Sequence, residues 1–469
     1  MVNFFEKGIR GGISQINHRH FRTNIPGSSN HCPRNPDGYA LYTDANGLYA
    51  HAMTHALPSG GFEWLTEDEI RTLNIWAIPK DGHMGVVLEV DLEYPAELHD
   101  AHNDFPFCPI KRKILSTELS PLARFIAEKS KHSYPSNAEK LMTTLEPKQH
   151  YVIHYRMLQT ALKHGLKLKR IWRGVRFQQS PWLREFILLL NRKKQRAETV
   201  FDRSFLKLFS NSIYGKTLES VRQRKTFKLV TDPEKFVKLA SSPLFKTFTA
   251  FNKQLVGVEL NPQTVFLDKP IYLGMSILDL SKSHMYKFFY NVLQKQYSGE
   301  VRMLACDTDG FIVSFTGGEH PQSFMARQAK YFDRSNFSQT NRFYSSQNAG
   351  CLGVFKDEFC ALPVQEFVGL KAKMYSIIFQ DPLVSGRKAA KGVPRSAMNR
   401  ILHEDYLACI LNLKEHYHVA RRIASKKHQI FTREEHRLAL SAYYDKRYLL
   451  PDGITTLAYG HHRIPSNVP

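Results

Sequence analysis

The sequence is short of acid. Its 469 residues carry 43 Asp and Glu against 65 Lys and Arg, a formal net charge of +22. A surplus of this sign suits a polyanionic partner, nucleic acid first; the alternative is a basic enzyme with no such partner. Cysteine is sparse and scattered, at Cys32, Cys108, Cys306, Cys351, Cys360 and Cys409. No Cys-x-x-Cys pair occurs, so the cysteines indicate neither a zinc site nor a disulfide framework. That usage fits a reducing compartment, and an intracellular location is expected, with the nucleus as the first choice. No uncharged apolar run approaches the roughly 18 residues of a membrane helix. The opening stretch, MVNFFEKGIRGG, lacks the apolar core of a secretory signal. No membrane partner is therefore expected. Internal repeats and low-complexity tracts are absent.

Hydrophobic residues make up 42% of the chain and aromatic residues 12%, enough to fill the cores of two or three domains. Between Lys163 and Arg196 stand eleven Lys or Arg and one acid, Glu185, interleaved with Trp172, Phe177, Trp182 and Phe186. The interleaving predicts a folded, charged surface rather than a loose tail. Residues 1–38 read as loop, 39–43 as a short strand that turns into a helical run over 50–57, and 84–93 as a strand. The stretch 100–137 reads as irregular. Helical spacing covers 151–164, 193–220, 281–297, the region after Ser396, and 433–446; 225–275 has mixed character. Residues 301–315 carry a hairpin signal and 368–379 that of one strand. Strands and helices mixed without a regular βαβ period predict an α+β fold.

Four clusters carry chemistry. Asp307-Thr308-Asp309 sits at the tip of the expected hairpin, where alternation tends to put the two carboxylates on one face. Such a pair is self-repelling, by about 4 kcal/mol at 4 Å and an effective dielectric near 20, unless a cation holds it. Oxygen ligands with open positions suit magnesium. The plain alternative is a solvent-exposed turn. Asp44 ends an apolar strand and is either a second acidic ligand or a helix cap. Lys207, Asn211 and Tyr214 recur at i, i+4 and i+7, one stripe of a helix that either cradles a nucleotide or is simply half-exposed. Lys371, Lys373 and Tyr375 alternate, as on a strand that tracks a sugar-phosphate backbone or on a basic edge strand.

In chain order these pieces resemble family B DNA polymerases. Asp44-Ala-Asn-Gly-Leu-Tyr49 looks like the family motif D-x-x-S-L-Y-P. The segment from Lys207 to Gly215 matches K-x-x-x-N-S-x-Y-G at every fixed position. Asp307-Thr-Asp-Gly310 looks like D-T-D-S, and Lys373-Met-Tyr375 matches K-x-Y. Glu89–Pro109, Tyr151–Tyr155, Phe367–Ile377 and Asp452–Ile464 resemble polymerases of Maverick/Polinton elements and adintovirus-like viruses, within the protein-primed branch. Gly8–Gly12 stands where that branch has a Gly-Gly link. The chain departs from the motifs at Gly47, Ala50 and Gly310, none of which removes a carboxylate.

The resemblance implies a right-hand polymerase fold, with palm, fingers and thumb. It implies residues 1–38 as an N-terminal link and 39–150 as the first part of the palm, with a branch-specific insertion. Residues 151–224 would be the fingers, 225–384 the second part of the palm, and 385–469 a thumb-like region. It further implies Asp44, the carbonyl of Ala45 and Asp309 as ligands of two Mg2+ ions (Mn2+ as an alternative), with Asp307 auxiliary. Tyr49 would lie under the sugar. Lys207, Asn211 and Tyr214 would bind the incoming deoxynucleoside triphosphate, and Lys371, Lys373 and Tyr375 the primer end. The implied partners are primed template DNA, the four triphosphates and a terminal protein primer. Before Asp44 the only acids are Glu6 and Asp37, so no 3′–5′ proofreading exonuclease is expected in this chain. A non-catalytic DNA-binding remnant of a mobile-element polymerase is the alternative function. A metal-dependent nuclease shares the ion chemistry but leaves the Lys207 helix without a purpose.

Overall fold

The apolar runs flanking Asp307–Gly310 pair as the expected hairpin, Glu300–Asp307 with Gly310–Thr316, in the structure, a computed structural model describing residues 1–130, 135, 137–426 and 429–465. Both strands are mostly apolar and, beyond Arg302, buried within a six-stranded sheet. Its order is Ser14–Ile16, Glu300–Asp307, Gly310–Thr316, Gly38–Ala45, Phe355–Asp357, Phe332–Asp333. Neighbours are antiparallel except the last pair. The helix Ile271–Phe288 and its π-helical continuation Phe289–Gln294 pack against this sheet, with Phe288 and Phe289 facing Phe311 at ring distances of 6.4 and 5.6 Å. This helix starts ten residues before the expected 281–297. It is buried almost all round, so its first turns show no amphipathic stripe. Its two buried charges are used internally: Asp279 accepts from the His154 N–H at 3.0 Å, and Lys282 donates to the Arg10 carbonyl at 2.7 Å.

Residues 1–38 are not all loop. Val2–Gly8 is a helix that buries Phe4 and Phe5, while Ser14–Ile16 and His20–Arg22 are short strands held by long-range partners. Three-residue strands are fixed by the sheet they join, a signal their own sequence does not carry. The helix after Asp44 is Leu48–Met53, and the chain then returns as the strand Leu57–Trp64.

A second sheet, ordered Leu57–Trp64, Lys167–Ser180, Met84–Glu93, Lys148–His154, occupies much of the region up to 180. The expected strand at 84–93 is present. The helix expected over 151–164 is instead the end of a strand, Lys148–His154, followed by the helix Tyr155–Lys163. The Tyr-Val-Ile-His-Tyr run is β-prone and pairs with Val87–Val90. The expected boundary at 150/151 falls inside this strand. Much of the basic block forms the strand Lys167–Ser180, where neighbouring acids answer the cations: Arg173 meets Glu89 and Lys167 and Lys169 meet Glu93 within the sheet, while Arg176 meets Glu63 of the sheet and Glu69 of the adjoining helix Glu67–Thr72. In the irregular stretch, Pro121–Lys129 is helical, while 131–134 and 136 lie outside the described residues.

Two helices, Arg184–Arg196 and Val200–Thr217, replace the single one expected over 193–220; the second is capped by Thr199, whose hydroxyl accepts from the Asp202 N–H at 3.0 Å. The mixed region after 225 folds as a three-stranded sheet with the helix Pro233–Ala240 against it. A further sheet is ordered Arg387–Ala390, Met374–Phe379, Val364–Lys371, His20–Arg22. Beyond 385, the first strand joins that sheet, and a long hairpin, His416–Lys426 with Gln429–Leu440, stands out exposed. The chain then returns, where the Tyr444 hydroxyl accepts from the Ile16 N–H at 2.9 Å. Residues 429–440 are thus strand where helical spacing suggested 433–446. Residues 466–469 lie outside the described residues. Among the described residues no helix is long and apolar enough to cross a membrane.

Candidate active site

Antiparallel pairing brings the distant acids together. Asp44 is in register with Gly310, and the Ala45 N–H donates to the Asp309 carbonyl at 2.8 Å. The tip is a tight turn. Thr308 has φ 63°, a region that β-branched residues rarely enter, and the Asp309 N–H donates to the Asp307 carbonyl at 2.7 Å, the mark of a strained γ-turn. The turn is held from outside by the Thr308 N–H, which donates to the Ile13 carbonyl at 2.7 Å. Gly12 makes this approach possible, because a Cβ there would stand 2.5 Å from two Thr308 side-chain atoms. This fold back from strand geometry cancels the simple alternation expected of Asp307 and Asp309. Asp307 ends its strand and faces Lys373, whose Nζ is 2.8 Å from Asp307 Oδ1, an ion pair without hydrogen-bond angles. Asp44, Asp307 and Asp309 accordingly do not form a trio with one oxygen each within 4.8 Å of the others.

The electrostatics work against two charged carboxylates at this place. Burial pushes the half-buried Asp44 carboxyl up to about 7, with Asp309 and Glu358 adding to the rise and Lys356 and Lys207 opposing it. Asp309 is raised as well, by burial and then by Asp307, with Lys207 and Lys373 opposing. In the unfolded chain Asp44 titrates near 3.8. Between about pH 4 and pH 7 the folded state therefore keeps a proton that the unfolded state has lost, and stability falls as pH rises through that window. In EDTA, raising the pH from 5 to 8 is expected to lower the melting temperature of the wild type more than that of Asp44→Asn, as read by thermal unfolding. An equal drop in both proteins would remove Asp44 as the source.

The helix Val200–Thr217 supplies the other wall. Tyr214 stacks on Tyr49, with ring centroids 4.3 Å apart and 14° between the planes, and burial raises both phenols. Asn211 and Lys207 are exposed further up the same helix, and the Lys207 ammonium lies close enough to lower both Asp44 and Asp309. Lys371, Lys373 and Tyr375 do not share one strand. Lys371 ends Val364–Lys371, Lys373 occupies the turn at φ 61°, and Tyr375 lies on Met374–Phe379. The expected strand over 368–379 is a hairpin whose turn has neither Gly nor Asn to announce it. Lys373 reaches Asp307 and Tyr375 bonds the Tyr42 hydroxyl, whereas the half-buried Lys371 faces Asp445 and Lys140.

Four residues at the site carry no sequence motif. Lys356 is in register with Asp44, Glu358 acts on the Asp44 carboxyl, and Lys194 on the neighbouring helix is held down by burial, Lys207 and Lys356. Phe355-Lys-Asp-Glu-Phe359 has three polar residues in a row, so no alternation of apolar and polar residues marks the first two. Tyr42 is the fourth, and it explains the departure at Gly310: a Cβ there would lie 2.7 Å from the Tyr42 ring and 3.2 Å from Asp44 Oδ1. Gly47, the other glycine departure, has φ 55° and caps the helix Leu48–Met53. Serine would be strained at that angle.

Residues 22–293 match the family described as DNA polymerase type B, organellar and viral. This span is over half of the chain, and the chain belongs to that family. It includes the Asp44 strand and the Lys207 helix and ends before the Asp307–Asp309 turn. The fold is similar to that of phi29 DNA polymerase. Against the phi29 enzyme complexed with primer-template DNA and incoming nucleotide substrates, the TM-score is 0.53 at 14% identity; against its orthorhombic crystal form it is 0.54 at 14% identity. Both alignments cover 94% of this chain and 62% of the phi29 chain, so the protein spans less than two thirds of that polymerase. No curated protein sequence matches the chain.

Proposed function

We propose that this chain is the polymerising part of a DNA-directed DNA polymerase, extending a primer on a DNA template from deoxynucleoside triphosphates. The observation that carries the reading is the pairing of the Asp44 and Asp309 strands, with the Lys207–Tyr214 helix facing the same cleft through the Tyr49 stack. The donors are all oxygens and two of the carboxyls are held toward protonation by burial and mutual repulsion, as suits a pair of magnesium ions, with manganese as a substitute. Asp44, Asp309 and the Ala45 carbonyl would hold them, with Asp307 auxiliary. Bound there, the ions would lower the barrier by polarising the primer 3′-hydroxyl and neutralising charge on the departing pyrophosphate.

The protein's own groups do the positioning. Lys207 and Lys194 present cations to the triphosphate, and Asn211 and Tyr214 border the base. Tyr49, fixed by its stack, limits room at the sugar's 2′ position. Lys373 and Tyr375 meet the primer end beside Asp307, and Lys371 binds backbone further along. Much of the acceleration then comes from orientation and preset charge. With the first boundary moved past the strand Lys148–His154, residues 39–154, 155–224, 225–384 and 385–469 would serve as first palm part with insertion, fingers, second palm part and thumb-like region, and a terminal protein would be the primer. The test is primer extension by the purified chain with magnesium and a defined template. Template-directed incorporation that EDTA abolishes is expected. DNA retention with no incorporation in magnesium or manganese would leave the non-catalytic remnant standing instead.

A further inference from the structure

A cavity of about 470 Å3 lies between the helix Tyr155–Lys163, the far end of the helix Ile271–Phe288 with its continuation, and the segment 76–80. Its lining includes Arg156, Lys287, Lys163, Lys80 and Trp76. Arg156 is only 8% exposed, and its Nε and Nη1 have no hydrogen-bond partner. None of the four cations takes part in a salt bridge among the described residues, whereas the buried or half-buried Arg10, Arg19, Arg112 and Arg447 each meet an acid or a carbonyl. Among the described residues, the acid whose field reaches Arg156 is the exposed Asp81. Four cations around one cavity without a counter-ion repel one another, and an anion seated among them relieves that repulsion.

The walls are built rather than loose. Gln159 Nε2 donates to the Ile75 and Ile78 carbonyls at 2.8 and 3.0 Å, and the Tyr155 hydroxyl donates to the Pro79 and Lys80 carbonyls at 3.2 Å. These bonds fix the loop that carries Trp76. On the opposite side His164 Nε2 is 3.2 Å from Asn291 Oδ1, and Thr160 and Ser283 share a hydrogen bond of 2.7 Å. Trp76 is 58% exposed at the cavity, a flat ring with no aromatic partner among the described residues. A cationic floor beside an open indole suits a nucleotide unit: phosphate on the cations, base on the ring.

We infer that this cavity is a second nucleotide-binding site, with a phosphate held by Arg156 and Lys287 and a base stacked on Trp76. It shares no residue with the Asp44–Asp309 cleft, so it stands whether or not that cleft polymerises. The phosphate could belong to a free nucleotide or to a single nucleic-acid strand, and the two sources are separable.

The test titrates the whole chain in EDTA with inorganic phosphate, thymidine monophosphate and a six-residue oligothymidylate, following heat and tryptophan fluorescence. Arg156→Met is expected to fold with unchanged or higher melting temperature, because it removes an unpaired charge, and to weaken all three ligands at least tenfold. Lys207→Ala should leave inorganic phosphate binding at this cavity intact. Trp76→Phe should abolish the fluorescence change while retaining phosphate. Tighter binding of the oligomer than of the monophosphate would assign the site to a strand, and equal binding to a free nucleotide. Identical titrations for wild type and Arg156→Met would overturn the proposal. Should Arg156→Met fail to fold, Lys287→Met takes its place: tenfold weaker binding is expected, and titrations matching the wild type would overturn the proposal in the same way.

Discussion

Asp309→Asn is expected to lower the single-turnover rate of nucleotide incorporation by about 10^3-fold or more, equivalent to roughly 4 kcal/mol in the barrier. The substitution keeps the size of the side chain. The bond that joins the turn to the neighbouring strand uses the Asp309 main-chain carbonyl and survives. What changes is charge: a carboxylate that burial and Asp307 already hold in tension becomes a neutral amide, and the oxygen cluster loses much of its attraction for a divalent ion. Asp307→Asn should cost less, because Asp307 is already occupied by Lys373 at 2.8 Å and contributes to the site through that pair. The measurement is rapid-quench extension at saturating magnesium and nucleotide, with circular dichroism and DNA binding as controls for fold. Asp309→Asn within tenfold of wild type would remove this carboxylate from the reaction.

The parts of this site that are legible in the sequence are those set by local pattern. Apolar runs on both sides of Asp307–Gly310 specify a hairpin whatever surrounds them, and an apolar strand ending at Asp44 specifies where the first carboxylate emerges. The stripe of Lys207, Asn211 and Tyr214 follows from helical period alone. The register that places Asp44 beside Gly310 is tertiary, and in the sequence only the order of the motifs points to it. Lys373 shows the opposite case. Nothing in Leu-Lys-Ala-Lys-Met announces a turn, and a lysine at φ 61° has no local reason to be there. The reasons are distant: the ion pair to Asp307 and the bond from the Lys391 N–H to the Lys373 carbonyl at 3.1 Å.

The same division runs through the fold. Thr432–Leu440 is rich in residues that helices favour, yet it is a strand, because pairing with His416–Lys426 satisfies its backbone. Arg433 and Arg437 flank Glu435 at intervals of two, on one face of the strand, and Arg421 meets Glu434 across the strands at 2.7 Å, contacts that a ribbon makes and a helix does not. The first half of the Ile271–Phe288 helix is hidden for the converse reason: a helix enclosed on all sides carries no polar face for periodicity to detect. The Phe-Lys-Asp-Glu-Phe segment is too short to rank as an element from sequence, yet it sets Lys356 and Glu358 beside Asp44. Charge balance, by contrast, misleads in detail. The +22 surplus is real, but the densest basic strand pairs most of its cations with nearby glutamates of its own sheet and of the adjoining helix. Among the described residues, cations without an ion pair include those around Arg156.

Lys207→Ala is expected to raise the KM for incoming deoxynucleotides about 10^2-fold. An ammonium about 4 Å from a phosphate oxygen is worth up to roughly 4 kcal/mol at an effective dielectric near 20, and the exposure of Lys207 trims that toward the roughly 2.7 kcal/mol of a hundredfold change. Lys207→Arg keeps the charge but not its point geometry, and should fall between the two. A second effect separates this role from a merely structural one. Lys207 lowers both Asp44 and Asp309, so its loss lets both carboxyls rise further. Protons then compete with magnesium at higher pH, and the acidic limb of the pH–rate profile should move upward in Lys207→Ala relative to wild type. Steady-state kinetics from pH 6 to 9 at fixed magnesium reads both quantities. A raised KM with an unmoved acidic limb would mean that Lys207 serves the triphosphate without sensing the carboxylates. An unchanged KM would take this helix out of nucleotide binding altogether.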